Sequence, residues 1–135
     1  MGPMSDTTPD LPRGADLDEA AAGAAAPADD VVLVSVSVPD AATGDRIADA
    51  LVERGLAACV KRSGPVRSVY RWQGRVEHDD EWVLSCVTTI RAVDALATRV
   101  RELHPHEVPE IVAVPVAAGD EAYLAWVRTG AAPQG

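Results

Sequence analysis

From Leu56 to Thr89 the chain holds two long runs rich in Val, Tyr, Trp and Thr, one on each side of Gln73-Gly74. Glycine at the second loop position supplies the positive φ that a two-residue hairpin turn needs. The stretch therefore reads as one antiparallel hairpin. Its arms run to roughly 13 to 15 residues, against about 5 to 6 in an ordinary strand. At about 3.3 Å per residue each arm reaches on the order of 40 Å, while a domain of about 100 residues has a radius of gyration near 13 Å. Such an arm must bend or overhang its own domain. Gly64-Pro65 is the expected bend, because proline cannot donate to a ladder and glycine weakens a strand interior. An overhang would expose Val, Tyr and Trp along a sheet edge unless another chain covers it, so the hairpin predicts an oligomer.

The rest of the chain frames this hairpin. Val31 to Val38 reads as a first strand, with Val32, Val34, Val36 and Val38 on one face and Val31, Leu33, Ser35 and Ser37 on the other. Neither face is charged, which predicts a sheet covered on both sides, by helices on one and by a partner subunit on the other. Asp40 is the expected N-cap of a helix that buries Ile47, Ala48, Leu51 and Val52 and stops at Gly55. Beyond the hairpin, Val93, Leu96, Ala97, Val100 and Leu103 mark a helix over 91–103, with Arg91, Asp94, Arg99, Arg101 and Glu102 pointing away. A proline-rich loop leads to a strand at Ile111–Val116, which Pro115 ends or places at an edge. A last helix, Glu121 to Arg128, buries Tyr123, Leu124 and Val127. The order β-α-β-β-α-β plus a terminal helix predicts an α+β fold, a ferredoxin-like βαββαβ sandwich with both central helices on one sheet face.

Charge is unevenly spread. The net charge is −9, yet residues 1–30 carry seven acids and one arginine, which leaves the body only mildly acidic. Nucleic-acid binding, which calls for a basic patch, is not expected. Residues 1–29 hold few branched apolar side chains and read as a disordered acidic tail with a transient helix over Asp16–Ala26; the folded domain is expected over 30–130, with a frayed end at 131–135. No apolar run is long enough for a membrane span. Cys59 and Cys86 form no C-x-x-C pair and no disulfide framework. A cytoplasmic protein with reduced thiols is expected.

Several groups could carry chemistry. Cys59, just after the first helix, reads either as a thiolate ligand for a soft ion or as a small buried apolar residue; Cys86 reads as core. The loop from His104 to Glu110 packs two imidazoles and two carboxylates into seven residues, donors that suit divalent ions, though no zinc spacing is matched. Its alternative is a proline-stiffened connector. In Glu77-His78-Asp79-Asp80-Glu81, strand alternation puts Glu77, Asp79 and Glu81 on one side and His78 and Asp80 on the other. Lys61, Arg62, Arg67 and Arg71 on the facing arm are expected to pair with those acids across the hairpin. No nucleophile–base set can be assembled, so no enzyme is expected.

Leu56-Ala57-Ala58-Cys59-Val60, Ser68 through Gly74, Thr88-Thr89, Leu103-His104-Pro105 with Val108-Pro109-Glu110-Ile111, and Gly119-Asp120 to Tyr123-Leu124-Ala125-Trp126 together resemble the CutA family of divalent-cation tolerance proteins. The likeness runs from about Val31 to Arg128. It implies a ferredoxin-like fold in an intertwined homotrimer, similar to the PII signalling trimers, and a role in tolerance to copper and other divalent ions; animal relatives are linked to acetylcholinesterase anchoring. Carried onto this chain, it implies copper or another divalent cation, with Cys59 and His104 as candidate ligands and Glu110 next; His106, where this chain departs from the family pattern, adds a further candidate ligand. The alternative is a PII-like sensor that binds a small metabolite in an inter-subunit cleft lined by Tyr70, Trp72, Glu110 and Trp126 and signals to a protein partner. The chain departs from the family pattern at Lys61, where Asn is common, at Val87, where Lys is common, and at His106, where Tyr is usual. It also lacks a first-strand cysteine near Val36.

Overall fold

A computed structural model describes residues 27–132. The expected disordered tail up to residue 26, the Asp16–Ala26 helix and the last three residues of the expected frayed end lie outside the described residues. In chain order the elements are β1 (Val31–Val38), α1 (Ala41–Glu53), β2 (Cys59–Trp72), β3 (Arg75–Thr89), α2 (Ile90–Leu103), β4 (Ile111–Pro115) and α3 (Glu121–Gly130). The four strands form one antiparallel sheet in the order β2-β3-β1-β4.

The hairpin arms are as long as the sequence predicts, 14 and 15 residues. Gln73 and Gly74 both have positive φ, 50° and 78°. Two consecutive left-handed residues make a type I′ turn, whose twist matches that of the strands it joins. The bend also falls where expected. Ser63 pairs with Val83 and Val66 with Glu81, so Gly64 and Pro65 together face Trp82 alone. That is a β-bulge, and Gly64 is required there: its φ is +141°, and an added Cβ would sit 2.7 Å from the Trp82 ring. Pairing of β3 with β1 stops at Val38–Trp82. Beyond it, residues 66–72 and 75–81 form a two-stranded ribbon that overhangs the sheet by about 23 Å, at roughly 3.3 Å per residue.

Alternation along β1 builds the core. Val32, Val34, Val36 and Val38 pack with Leu84 and Cys86 of β3 against Ile47 and Leu51 of α1 and Leu96 and Val100 of α2. Asp40 caps α1 as expected, its carboxylate accepting from Thr43 N–H at 2.7 Å. At the other end Gly55, with φ 68°, lets its own N–H reach Val52 C=O and that of Leu56 reach Leu51 C=O, the Schellman closure of a helix. Val52 departs from expectation. It lies 45% exposed, because one step beyond Leu51 already turns it about 100° away from the sheet.

The other sheet face is covered only in part. Val31 and Val87 meet Val127 of α3 in a small second cluster. Because α3 touches the sheet only at that corner, Tyr123, expected to be buried, is 41% exposed. Leu33, Val112 and Val114 remain open on this face. The last helix runs on through Gly130, and Ala131, the first residue of the expected frayed end, is buried with its carbonyl accepting from Thr89 Oγ1. Residues 27–29, expected in the tail, form a turn closed by Asp30 N–H donating to the Pro27 carbonyl at 3.0 Å. Thr89 makes no side-chain cap for α2; the carbonyls of Asp30 and Ala28 instead accept from Ile90 and Arg91 N–H, at 3.0 and 2.8 Å.

Candidate functional site

The helix-to-strand loop at His104–Glu110 closes over the far end of β1. Pro105 disfavours helical geometry at the residue before it, so α2 stops and His104 turns extended, with φ −81° and ψ 137°. Its ring enters the interior and is only 8% exposed. Nε2 lies 2.7 Å from the Ser37 carbonyl. A carbonyl only accepts, so Nε2 carries the proton and Nδ1 presents a lone pair, which accepts from His106 N–H at 3.1 Å. Both nitrogens of His104 are thus occupied. Ser37 is the hub: its carbonyl takes His104 and its hydroxyl donates to the Glu110 carboxylate. One buried serine therefore ties β1 to the loop and to the entry of β4. Sequence reading missed it; the one available signal is a polar residue on an otherwise apolar strand.

His106 sits above this network, its ring centroid 5.0 Å from that of His104. Partial burial lowers its pKa, the His104 ring adds to that, and Asp79 opposes it. The balance favours the unprotonated imidazole, the form that binds metals. Of the four residues expected to hold a metal, His104, His106 and Glu110 meet at this end of the sheet. Cys59 does not. It pairs with Val87, which pairs with Leu33, four residues along β1 from Ser37, or roughly 13 Å at 3.3 Å per residue. It packs instead at the α3 corner, beside Val31, Val87 and Val127. Cys86 is core, as expected, and burial pushes its thiol up to about 12. Among the described residues no group of three or more His, Cys, Asp or Glu side chains is placed to hold an ion. The fit of a divalent ion within one chain is therefore poor: His104 has both nitrogens in use, and Cys59 is elsewhere.

The ribbon behaves differently from expectation too. Arg62 pairs with Asp45 of α1, Nε to Oδ1 at 2.6 Å, not with the acids of β3. Among the described residues, the other ion pair is Arg99 with Glu102. Register separates the arginines from Glu77, Asp79 and Glu81, although Arg67 stands directly opposite Asp80 without forming an ion pair. Ser68 faces Asp79, Tyr70 faces Glu77 and Val66 faces Glu81, whereas Arg67 faces Asp80 and Arg71 faces Val76. Directly opposed residues share a side, so Arg67 and Arg71 stand on the reverse of the ribbon from Glu77, Asp79 and Glu81. Those acids take hydroxyls instead: Tyr70 donates to Asp79 and Ser68 to Glu81.

Tyr70, Trp72 and Trp126 do not line one cleft in a single chain. Trp72 is at the ribbon tip, paired with Arg75. Trp126, 52% exposed and stacked near Tyr123 at 5.7 Å, belongs to α3, which packs at Val87. Twelve residues of β3 separate the two ends, about 40 Å.

Comparison with known proteins places this arrangement. The profile of the CutA1 divalent ion tolerance protein family matches residues 32–130. A divalent-cation tolerance protein CutA from Thermus thermophilus is 48% identical over 96 residues, which cover 71% of this chain and 93% of that protein. The human protein CutA is 42% identical over 93 residues; there the match covers 69% of this chain but 52% of the human protein, so the chain spans about half of that relative. Among solved structures, the divalent cation tolerance protein (Cut A1) from Thermus thermophilus superposes with a TM-score of 0.74 at 45% identity, over 76% of this chain and 99% of that one. The CutA1 structure from Oryza sativa gives a TM-score of 0.73 at 36% identity, over 75% and 93%. With the strand order, the long hairpin and the sequence match in agreement, the chain belongs to the CutA1 divalent ion tolerance protein family.

Proposed function

We propose that this protein is a non-enzymatic divalent-cation tolerance protein of the cytoplasm, built of ferredoxin-like subunits that act as a homotrimer and bind copper or another divalent ion between them. The observation that carries the reading is the uncovered surface of the single chain. The ribbon has no third strand beyond Val38, and Val66, Val69 and Val76 on it are 37%, 59% and 57% exposed. Leu33, Val112 and Val114 lie open on the sheet face at 42%, 50% and 53%. An isolated two-stranded ribbon is marginal in water, and so broad an apolar surface calls for a cover. Copies of the same chain supply one, and they would also bring the tip aromatics of one subunit to the α3 aromatics of another.

Metal binding is proposed at His106 and Glu110, with the donors that one chain lacks supplied by a second. Support comes from the family and from the lowered pKa of His106, whose partial burial favours the imidazole form that binds metals. The free thiols Cys59 and Cys86 suit a reducing compartment, while a relative from Arabidopsis thaliana is described as chloroplastic and one from Archaeoglobus fulgidus as periplasmic. Native mass spectrometry of the full chain, apo and with stoichiometric Cu(I), Cu(II) or Zn(II), tests the reading. A trimer retaining discrete metal ions is expected. A trimer that retains none removes the metal role, and a monomer removes the assembly.

A further inference from the structure

The described chain begins beside α3. Its first residues lie between the start of α2 and the end of α3: the Ala28 and Asp30 carbonyls accept from Arg91 and Ile90 N–H, and the Asp29 carbonyl accepts from Arg128 Nε at 3.1 Å. From Arg128, Trp126 and Tyr123 stand about 3 and 8 Å back along the helix, at roughly 1.5 Å per residue. They are 52% and 41% exposed, with ring centroids 5.7 Å apart. The side chains of Arg91 and Arg128 are exposed as well, and neither forms an ion pair among the described residues. The acids on the same helices are Asp94 and Glu102 on α2 and Glu121 on α3, the last at the opposite end from Arg128. An aromatic pair beside two unpaired guanidinium groups suits a segment that carries an apolar side chain flanked by carboxylates.

We propose that this surface is the docking site of the chain's own N-terminal segment, residues 11–19: Leu11 and Leu17 cover Tyr123 and Trp126, while Asp16, Asp18 and Glu19 face Arg91 and Arg128. Leu11 and Leu17 are the branched apolar residues of positions 1–26, and Asp6, Asp10, Asp16, Asp18 and Glu19 stand there against Arg13 alone. Three of those acids flank Leu17, so one short stretch carries both matching parts. Its reach is sufficient. Leu17 precedes Pro27 by ten residues, about 15 Å of helix or up to roughly 33 Å of extended chain, and the aromatic pair lies within that span of the Asp29–Arg128 contact. The segment is also an addition to the shared fold: the family profile begins at residue 32, and the Thermus thermophilus relative is matched over 93% of its length, which leaves too little of it to hold a counterpart. Two leucines make a small contact, but a short tether sets an effective concentration of about a millimolar, enough for a weak contact to persist. So placed, the segment competes with anything else that approaches α3, the ribbon tip of a second copy included.

Fluorine NMR of the full chain labelled with 5-fluorotryptophan tests this. Trp72→Phe and Trp126→Phe assign the lines of the three tryptophans. Two variants of the segment are then compared with wild type: Leu11→Ser with Leu17→Ser, and Asp16→Asn with Asp18→Asn and Glu19→Gln. Both are expected to move the Trp126 line by more than its width, the leucine variant further than the acid one, while the line of Trp82, packed on the core, stays in place. A Trp126 line unchanged in either variant overturns the proposal. A Trp126 line that responds to Trp72→Phe but not to the leucine variant assigns the cover to the ribbon tip of a second copy, and the proposal falls. A shift shared equally by Trp82 reports a change of the whole domain and overturns it too. None of these lines depends on bound metal or on subunit number, so a failure here leaves the proposed function standing, and a monomer in native mass spectra leaves this test in place.

Discussion

Replacing His104 by Phe separates a structural histidine from a metal ligand. The ring is nearly buried and holds two polar partners, the Ser37 carbonyl at 2.7 Å and the His106 N–H at 3.1 Å. Phe fills a similar volume but can satisfy neither. A buried group left unpaired costs about 1–3 kcal/mol; the Ser37 carbonyl contact is buried and the His106 N–H only partly so, which predicts a loss of roughly 1–4 kcal/mol per chain, with the lower end applying if the loop opens and admits water. Guanidinium unfolding at fixed protein concentration measures this, since the stability of the proposed trimer would depend on concentration. Calorimetric titration with copper supplies the second axis. His104→Phe is expected to lower stability while leaving a metal-binding signal in the surviving folded protein; His106→Ala is expected to do the reverse. A variant at His104 that keeps wild-type stability and loses metal binding would show that the ring coordinates metal and that the hydrogen-bond assignment is wrong.

Other consequences follow from single contacts. Cys86, with its thiol pushed up to about 12 by burial, should resist thiol reagents in the native protein and react only on unfolding, leaving Cys59 as the one thiol labelled under native conditions; native labelling of both would contradict the core assignment. Gln73 holds a left-handed φ that Asn adopts more readily, so Gln73→Asn should stabilise by a few tenths of a kcal/mol to about 1 in thermal or denaturant unfolding, and a loss would show that the turn is not type I′. The Thr43 backbone N–H holds the Asp40 carboxyl below the usual range. Its contribution is present above that range and lost as pH falls through it, so wild type should lose stability relative to Asp40→Asn on acidification; parallel pH profiles would refute a charge-dependent cap. Finally, a chain beginning at Val31 should be less stable than one beginning at Pro27 by about 1 kcal/mol, because it lacks the carbonyls that cap α2; equal denaturation midpoints would show that the turn contributes nothing.

Local signals made the hairpin legible. Turn chemistry at Gln73-Gly74, the bulge at Gly64-Pro65 and the alternation of β1 each act over a few residues, and each appears where the sequence puts it. Helix faces were less exact for a different reason. Periodicity says which side of α3 is apolar but not how much sheet lies beneath it, so Tyr123 was placed inside when the sheet ends before reaching it.

The site was least legible because the availability of a polar group is a tertiary property. His104 looks like a ligand in the sequence since its neighbours are another histidine, prolines and acids. Its actual partner is a carbonyl 67 positions away, and no spacing within the loop announces it. Cys59 and His104 have the right chemistry for one ion, yet register sets them at opposite ends of β1. Arg67 and Glu81 are near in sequence and opposite in charge, yet strand alternation, the rule that made the hairpin readable, puts them on opposite sides of it. The ribbon, with Val69 and Val76 exposed on one side and Val66 on the other, is poorly satisfied alone, and that deficit arises from where the sheet ends, a tertiary property that no local motif announces.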